Sequence, residues 1–286
     1  MLPAATVAGV TKRHLAEFYA TIAGWALPHM RRRPTTLVRC PEQVPCYYEV
    51  HEAGWAPADI RRIPVPERTK VGEYAIVETV ADLVRLVEID VREIHTSNAQ
   101  APDLERPDRL VFDLDPGDGV AASAVVEAAF EMRERLLRMG LSSFVKTTGG
   151  RAFHVVVPVV QPSWREGLAF AERLVSEMAR DAPRRYTADM SKSLRAGRIY
   201  LDYLRNARGA TSIAAFSTRA SMHGRVSVPI AWDELTPAGA PQLTIEDVLA
   251  RLLSRGEDPW AEYWTAAQEL PRAGATSGRR GKKRSR

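Results

Sequence analysis

The chain has 286 residues, of which 45% are hydrophobic and 26% charged, a composition typical of a soluble globular protein with a sizeable core. No apolar run is long enough to cross a membrane and no signal peptide is apparent, so the sequence predicts a cytoplasmic protein. The net charge is +5, but seven Lys or Arg and no acid lie in 271–286, so residues 1–270 sum to −2. This segment is predicted to be a basic, disordered tail.

Charge and cysteine content narrow the function further. Residues 71–141 contain 15 acidic against 7 basic side chains, and residues 142–225 contain 14 basic against 6 acidic ones. This banding is plausible for a protein that handles metal-bound phosphates. Cys40 and Cys46 are the only cysteines, with no second pair or histidine arrangement that would complete a zinc site. They are interpreted as two incidental thiols in a reducing cytoplasm.

The predicted elements alternate between helices and strands. Helices are predicted over about 12–29 with Thr11 as N-cap, 80–91, 123–139 with Ser123 as N-cap, 163–180 behind a capping box, 244–254, and after Pro259. Strands are predicted at 36–40, 110–115, twice within 142–160, at 197–206 and once or twice within 212–230. Residues 46–55 are predicted as strand or loop, and 54–70 as an exposed connection.

Tight succession of the strands favours an α+β fold with a largely antiparallel central sheet flanked by helices. One domain is predicted over 1–270. It comprises an N-terminal part of about 1–100 and a catalytic core of about 101–270.

The segment VFDLDPGDG (111–119) is the strongest functional signal. Asp113 and Asp115 alternate with Phe112 and Leu114 along a strand, so the two carboxylates share one face. Neighbouring carboxylates repel each other and are costly to desolvate, and a divalent cation such as Mg²⁺ or Mn²⁺ removes both objections. A solvated strand end capped by acidic turn residues is the alternative. Asp118 lies beyond the turn and is interpreted as a solvated acid.

A third carboxylate occurs in the apolar segment RIYLDYL (198–204). Asp202 is predicted to share a strand face with Tyr200, and an acid in an apolar strand is uncommon unless it is paired or binds a metal. Three strand carboxylates fit a two-metal phosphoryl-transfer site. The alternative is a buried ion pair with Arg195, Arg198 or Arg205.

The segment KTTGGRAFH (146–154) lies between these acids. Gly149 and Gly150 can turn backbone N–H groups toward an anion, and further donors flank them: Lys146, Thr147, Thr148, Arg151 and His154. Together with the carboxylates, this segment points to a nucleoside triphosphate. The alternative is an ordinary hairpin turn with a core histidine.

The order of three motifs then becomes recognisable: DLD (113–115), KTTGGRAFHVVVP (146–158) and IYLDYLRNARGAT (199–211). It resembles the polymerase domain of bacterial DNA ligase D, in the archaeo-eukaryotic primase superfamily. The resemblance extends from KRHLAEFYA (12–20) through HTSNA (95–99) and LERPDRLVFDLDPG (104–117) to DPWAEY (258–263). It implies a primase-polymerase core that performs template-directed nucleotidyl transfer with Mn²⁺ or Mg²⁺, often prefers ribonucleotides, and fills short gaps in non-homologous end joining.

The resemblance also implies roles for individual residues. Asp113, Asp115 and Asp202 would bind two metal ions, Thr148 and His154 would contact the triphosphate, His95 would lie near the incoming nucleotide, and Arg195 and Arg219 would offset triphosphate charge. Tyr47 and Tyr48 stand where the family has a paired aromatic that stacks on the template; two strand tyrosines, one of them buried, are the alternative. Lys12 matches one of two lysines that grip a 5′-phosphate, and no basic residue occurs near Leu2, where the second is expected. The segment ASMHGRVSVP (220–229) also departs from the family pattern.

The expected function is a polymerase that extends DNA ends with NTPs or dNTPs during gap filling and end processing. Its expected partners are DNA ends, primer–template or gapped DNA, Ku and a DNA ligase, at the bacterial nucleoid. Three alternatives remain: a primase that starts strands de novo, a DNA-end-binding module with little catalysis, and a metal-dependent nucleotide-sugar transferase. The last would use the DxD pair but would not need Asp202.

Overall fold

The computed structural model describes residues 10–51, 57–220, 224–254 and 258–271 in full, and only the backbone of 6–7 and 255. The basic segment after residue 271 lies outside the described residues. The α-helices are α1 (Lys12–Met30), α2 (Val80–Glu88), α3 (Ala122–Arg138), α4 (Trp164–Asp181) and α5 (Ile245–Arg255). Short 3₁₀ helices occur at Lys192–Leu194, Leu204–Asn206, Trp232–Glu234 and Ala261–Thr265. In the described ranges, none of the helices combines the length and apolarity that a membrane span requires.

Two sheets carry the architecture. The larger has six strands in the order β11 (Tyr186–Thr187), β12 (Ile199–Asp202), β8 (Arg109–Pro116), β10 (Phe153–Pro158), β9 (Phe144–Thr147) and β14 (Pro229–Ile230). The smaller has four strands in the order β13 (Thr211–Ile213), β7 (Val91–Ser97), β3 (Thr35–Arg39) and β4 (Tyr47–Glu49). Two short pairs join β1 (Thr6–Val7) to β2 (Val10–Thr11) and β5 (Arg62–Pro66) to β6 (Val71–Ala75).

Strand direction agrees with the predicted fold class. The strands of both sheets and of the short pairs run antiparallel to their neighbours, except that β11 and β12 are parallel. An α+β fold with a largely antiparallel central sheet is therefore confirmed. The division near residue 100 stays a prediction.

Alternation along β8 separates the core from the acids. Leu110, Phe112 and Leu114 are buried in one cluster with apolar residues of α3 and α4. Asp113 and Asp115 project from the opposite face of the same strand, as the sequence predicts. A second core joins α1, α2 and α5 to the smaller sheet, and it includes residues from both ends of the chain such as Phe18 and Val248.

Several local predictions are confirmed. Thr11 caps α1 by accepting from the backbone N–H of His14, and Ser163 and Glu166 form the predicted capping box of α4. Others are wrong. Helix α3 begins one residue before Ser123, behind Ala121, which makes no side-chain cap. The segment 54–70 is more than a connection because it contains β5.

The strand predicted over 197–206 was too long. Strand β12 ends at Asp202, because the following residues turn into the 3₁₀ helix Leu204–Asn206. Leu204 therefore does not share the strand face of Asp202. After Pro259 the described chain forms a helix as predicted, and it is the 3₁₀ helix Ala261–Thr265.

The prediction of two incidental thiols is wrong. Cys40 and Cys46 form a disulfide, because β3 and β4 are antiparallel neighbours and the connection between them returns the chain on itself. The disulfide thus closes the hairpin whose second strand carries Tyr47 and Tyr48.

His29 near the end of α1 is buried among aromatic rings of Phe216, Trp260, Tyr263 and Trp264. Neither ring nitrogen has a hydrogen-bond partner among the described residues. Burial, reinforced by the positive charges of Arg109, Arg33 and Lys146, lowers the pKa of His29 well below its ordinary value. The folded state therefore keeps His29 neutral at a pH where the unfolded chain protonates it.

This histidine predicts a loss of stability in acid. Below about pH 6.5 the unfolded chain binds a proton at residue 29 and the folded protein does not, so the free energy of unfolding falls as the pH falls. His29→Phe should make the midpoint of thermal unfolding less dependent on pH between about 7 and 5. The same change at the exposed His14 is the control and should preserve the wild-type slope. Equal slopes in His29→Phe and wild type would contradict the prediction.

Candidate active site

Four neighbouring strands place a row of ionisable side chains across the larger sheet. In the register of the strands, Lys146 on β9 pairs with His154 on β10, His154 with Asp113 on β8, and Asp113 with Asp202 on β12. Directly paired residues of antiparallel strands have their side chains on the same face, so these four side chains are neighbours. Asp115 lies two residues further along β8, opposite Tyr200. The structure thus brings the three predicted carboxylates to one face.

Arginines balance part of the negative charge. The guanidinium of Arg205 lies 3.2 Å from Asp202 Oδ2 and 3.5 Å from Asp113 Oδ2, and Arg195 donates to Asp115 at 2.9 Å. The ion-pair alternative for Asp202 is therefore present, with Arg205 as the partner. Even so, burial and the nearby charge of Asp113 raise the pKa of both Asp115 and Asp202 above the ordinary value for aspartate. The cluster still carries charge repulsion that further cations would relieve.

The carboxylates fit divalent metal ions by donor type and by their hydrogen bonding. Asp113 Oδ1 is buried and has no hydrogen-bond partner among the described residues. Hard carboxylate oxygens are the ligands that Mg²⁺ and Mn²⁺ prefer. Within the described ranges, no three His, Cys, Asp or Glu side chains are already arranged around a metal position. Asp113, Asp115 and Asp202 are the residues that would hold such ions.

The glycine turn follows β9 directly. Gly149 has a φ of +74°, a conformation that L side chains rarely adopt, and a Cβ on it would lie 2.5 Å from Arg219 Cγ. The hydroxyl of Thr148 donates to Ala152 O at 3.0 Å and lies 3.4 Å from the backbone N of Gly150. Glycine at 149 thus allows Arg219 to pack against the turn that carries Thr148.

Two predicted phosphate contacts in the row are deeply buried. His154 is 2% exposed, and burial lowers its pKa to about 4, so its ring is neutral at pH 7. Its Nε2 lies 3.6 Å from Asp113 Oδ2. Lys146 Nζ donates to Ser227 Oγ at 2.5 Å, and burial lowers the pKa of this lysine well below its ordinary value. Lys146 is thus held inside the protein rather than at the cleft surface.

A cleft of about 330 Å³ lies between the two sheets. Seven of the predicted site residues line it: Tyr48, His95, Asp113, Asp115, Thr148, His154 and Arg219. The smaller sheet supplies His95 from β7 and hydroxyl groups from Thr36 and Ser212, which sequence reasoning missed. The other predicted residues do not line the cleft. Asp202 and Lys146 are strand partners of Asp113 and His154, and Arg195 donates to Asp115.

The backbone of Arg195 packs directly against Gly117. The loop 188–198 crosses the end of β8, where the backbone N–H of Gly117 donates to Arg198 O at 2.9 Å and that of Gly197 donates to Asp118 O at 2.8 Å. A Cβ on Gly117 would overlap the carbonyl oxygen of Arg195. The Arg195 guanidinium then stacks 4.0 Å from the Tyr200 ring centroid. Sequence reasoning placed Gly117 in the turn that ends the strand, and it did not predict this packing against Arg195.

Of the residues predicted to contact DNA, the two tyrosines are exposed and the lysine is buried. Tyr47 and Tyr48 are 39% and 66% exposed, which excludes the alternative in which one of them is buried. Tyr48 packs edge-on to His95 with ring centroids 5.8 Å apart. Lys12 is 7% exposed, and its Nζ pairs with Asp90 at 2.7 Å. The structure thus places Tyr48 at the cleft and holds Lys12 in an ion pair elsewhere.

A mostly antiparallel sheet that presents three aspartates beside a glycine turn and arginines defines a phosphate-handling site of the nucleotidyltransferase type. Comparison with known proteins agrees with this class. The family model described as LigD, primase-polymerase domain, matches residues 11–260. The chain is 35% identical over 268 residues to the "Multifunctional non-homologous end joining protein LigD" of Pseudomonas aeruginosa, and 32% identical over 254 residues to the protein of the same name from Mycolicibacterium smegmatis.

Solved structures show the same relationship. The chain matches the "Polymerase Domain from Mycobacterium tuberculosis Ligase D in complex with DNA" with a TM-score of 0.83 and 32% identity, over 92% of this chain and 94% of that one. The chain therefore belongs to the LigD primase-polymerase domain family, and the resemblance predicted from its motifs is confirmed. The two LigD proteins are matched over 92% and 87% of this chain but only 32% and 33% of their own length, so the chain spans about a third of these relatives.

Proposed function

We propose that the chain is a template-directed nucleotidyltransferase that extends DNA ends with NTPs or dNTPs, in gap filling and end processing for non-homologous end joining. The observation that carries the proposal is the register of β12, β8 and β10. It brings Asp202, Asp113 and His154 together beside Asp115. Of these four, all but Asp202 line the cleft, together with Thr148 and Arg219. Nucleotidyltransferase chemistry is the activity of the family to which the chain belongs.

The proposed roles follow from the positions of the side chains. Asp113, Asp115 and Asp202 would hold two Mn²⁺ or Mg²⁺ ions, which would lower the pKa of the attacking primer hydroxyl and offset the charge of the leaving pyrophosphate. Thr148 and the backbone of Gly149 and Gly150 would donate to the triphosphate.

Two cleft residues and one neighbour complete the nucleotide site. His154, neutral at pH 7, can donate one hydrogen bond to a phosphate oxygen without adding charge. Arg219 and Arg195 would offset the phosphate charge through planar guanidinium groups.

Primer extension tests the proposal directly. The wild-type protein, incubated with a primer–template, Mn²⁺ and nucleoside triphosphates, should lengthen the primer. Absence of extension with Mn²⁺ and with Mg²⁺, for NTPs and dNTPs alike, would refute the proposal. Supplying the template without a primer tests the primase alternative, in which new strands would form.

The same assay distinguishes a polymerase from a DNA-end-binding module. Such a module would bind the primer–template without extending it. All three aspartates and both cleft histidines are present, which favours catalysis. A nucleotide-sugar transferase is opposed by the family match and by Asp202, which that chemistry does not need.

DNA binding is proposed from the cleft and from the relative. The similar Mycobacterium tuberculosis domain was solved in complex with DNA. In this chain the exposed ring of Tyr48 lies beside His95 at the cleft, where it can stack on a base. Ku and a DNA ligase are proposed partners because the similar full-length proteins carry non-homologous end joining in their names. Action at the bacterial nucleoid belongs to the same proposal.

Removal of the Tyr48 ring should weaken template binding. Stacking is worth about 1–3 kcal/mol per base, so Tyr48→Ala should raise the Kd for a primer–template by about 5- to 150-fold. Fluorescence anisotropy with labelled DNA at one fixed salt concentration measures the change. Tyr48→Phe keeps the ring and should bind as wild type does. An unchanged Kd for Tyr48→Ala would contradict the stacking role.

A further inference from the structure

Glu93 is a buried carboxylate directly behind the cleft. It lies on β7, is 4% exposed, and does not itself line the cleft. His95 Nε2 lies 2.9 Å from its Oε2, the backbone N–H of Ala220 donates to its Oε1 at 2.9 Å, and Arg219 Nε lies 3.3 Å from the same oxygen. Two of these three partners, His95 and Arg219, line the cleft. Glu93 therefore joins two cleft residues that come from distant parts of the chain.

The strand geometry places Glu93 and His95 side by side. Glu93 and His95 are two residues apart on β7, so their side chains share one face. The neighbouring strand β3 pairs Val38 with Glu93 and Thr36 with His95. A buried carboxylate is costly unless its oxygens are hydrogen-bonded and its charge is balanced, and here the three groups above do both. Removal of the carboxylate would leave Arg219 without this ion pair.

We propose that Glu93 is a positioning residue for the nucleotide site. Its carboxylate holds the His95 ring in the tautomer that carries hydrogen on Nε2, and it holds the Arg219 guanidinium at the cleft. The inference rests on the proposed function, because it assigns Glu93 a part in binding the nucleoside triphosphate and the reacting sugar hydroxyl.

The tautomer has a chemical consequence. A carboxylate can only accept, so the nitrogen that bonds to it, Nε2, carries the hydrogen. Burial lowers the pKa of His95 even though Glu93 opposes that effect, and the ring is neutral. Nδ1 then remains an acceptor, which suits a hydroxyl group of a sugar rather than a phosphate oxygen. His95 and His154 thus have separate tasks, the first toward a hydroxyl and the second toward phosphate.

Arg219 contacts both Glu93 and the glycine turn. Its side chain packs against Gly149, and its Nε faces Glu93. Burial disfavours the charged form of Glu93, but the hydrogen bond from His95 and the charge of Arg219 keep its pKa below the ordinary value. Glu93 therefore stays ionised at neutral pH and can hold both partners.

Glu93→Gln tests the role while keeping the shape of the side chain. An amide has one acceptor oxygen and one donor NH₂ group, so it cannot accept from both His95 and Ala220. With its oxygen toward Ala220 and Arg219, its NH₂ group faces His95 Nε2 and forces the hydrogen onto Nδ1. We expect kcat/KM for nucleotide addition to fall by about 10- to 100-fold, the range found when the carboxylate partners of metal-binding histidines are mutated. We also expect the ¹⁵N resonances of the His95 ring to exchange their protonated and unprotonated positions.

Controls separate positioning from general folding. Glu131→Gln makes the same chemical change in a partly buried carboxylate of α3 that bonds Tyr186 and Arg135 away from the cleft, and it should leave kcat/KM unchanged. Glu93→Asp keeps the charge and should recover part of the activity. If Glu93→Gln does not fold, the kcat/KM of Glu93→Asp relative to wild type takes its place as the test, and a reduced value is expected.

Two results would overturn the inference, and a third would refute the proposed function. If the wild type extends primers and a folded Glu93→Gln protein does so equally well with unchanged ring resonances, the inference is wrong. Equal losses in Glu93→Gln and Glu131→Gln would also overturn it. If the wild type extends nothing, the proposed function fails. The ring resonances of His95 and the affinity for ATP, measured by titration without DNA, then still decide whether Glu93 positions the cleft.

Discussion

Replacement of Asp113 by asparagine is expected to reduce primer extension by about 10³-fold or more. Asp113 lies between His154 and Asp202 in the row of ionisable side chains. Its Oδ1 is buried without a hydrogen-bond partner among the described residues. Loss of one charged oxygen ligand removes several kcal/mol of transition-state stabilisation, and each 1.36 kcal/mol corresponds to a factor of about ten in rate. Single-turnover extension with Mn²⁺ measures the effect.

Asp118→Asn provides the matched control for this prediction. It makes the same change in the same segment, at an exposed acid in the turn after β8. Its rate should stay within about twofold of wild type, since surface changes away from the site have small effects. Thermal unfolding of both variants checks that each is folded. Full extension by a folded Asp113→Asn protein would show that the proposed metal ligands are wrongly assigned.

Gly117→Ala is expected to be the most damaging single-methyl change near the site. The new Cβ would overlap the carbonyl oxygen of Arg195, and backbone cannot rotate away as a flexible side chain can. Overpacking of this kind costs about 1–3 kcal/mol, and relief of the overlap would shift the loop 188–198 and draw Arg195 away from Asp115. The variant should therefore lose stability and also show a raised KM for the nucleotide.

The control for Gly117 lies in α1. A Cβ on Gly24 would meet nothing within 4 Å, and alanine is favoured over glycine inside a helix by about 1 kcal/mol. Gly24→Ala should leave the enzyme as stable as wild type or more so, with an unchanged KM. Equal stability and KM in Gly117→Ala and Gly24→Ala would contradict the close packing described for the loop.

Much of the site could be predicted because local sequence patterns carried it. Alternation along β8 placed Asp113 and Asp115 on one face, and the glycine pair marked the turn before β10. The order of motifs identified the family, which the comparisons confirm. These signals are contained within a few consecutive residues, where the period of a strand or the conformation of a glycine is decisive.

The remainder depends on contacts between distant segments. Glu93 was missed because β7 was not recognised as a strand, although the spacing of Glu93 and His95 would have placed them on one face. The disulfide between Cys40 and Cys46 requires the β3–β4 hairpin, which composition does not reveal. Arg205 was named only as an ion-pair alternative, and its reach to two aspartates follows from the 3₁₀ turn after β12.

The role assigned to Lys12 stays a prediction. The structure pairs this lysine with Asp90 and with Glu88 O, so a 5′-phosphate would have to compete with an established ion pair. Lys146 was predicted as a phosphate donor, and it is instead enclosed with Ser227. In both cases the sequence shows the charge but not the burial that controls its availability.

Single-nucleotide incorporation at a one-nucleotide gap is the sharpest test of template-directed nucleotidyl transfer by this protein. The wild-type protein is supplied with Mn²⁺ and each NTP in turn, opposite each of the four template bases. We expect that the complementary nucleotide is added, that addition requires the divalent ion, and that Asp202→Asn abolishes it. No incorporation by the wild type with Mn²⁺ or Mg²⁺, or incorporation that ignores the template base, would contradict a template-directed nucleotidyltransferase.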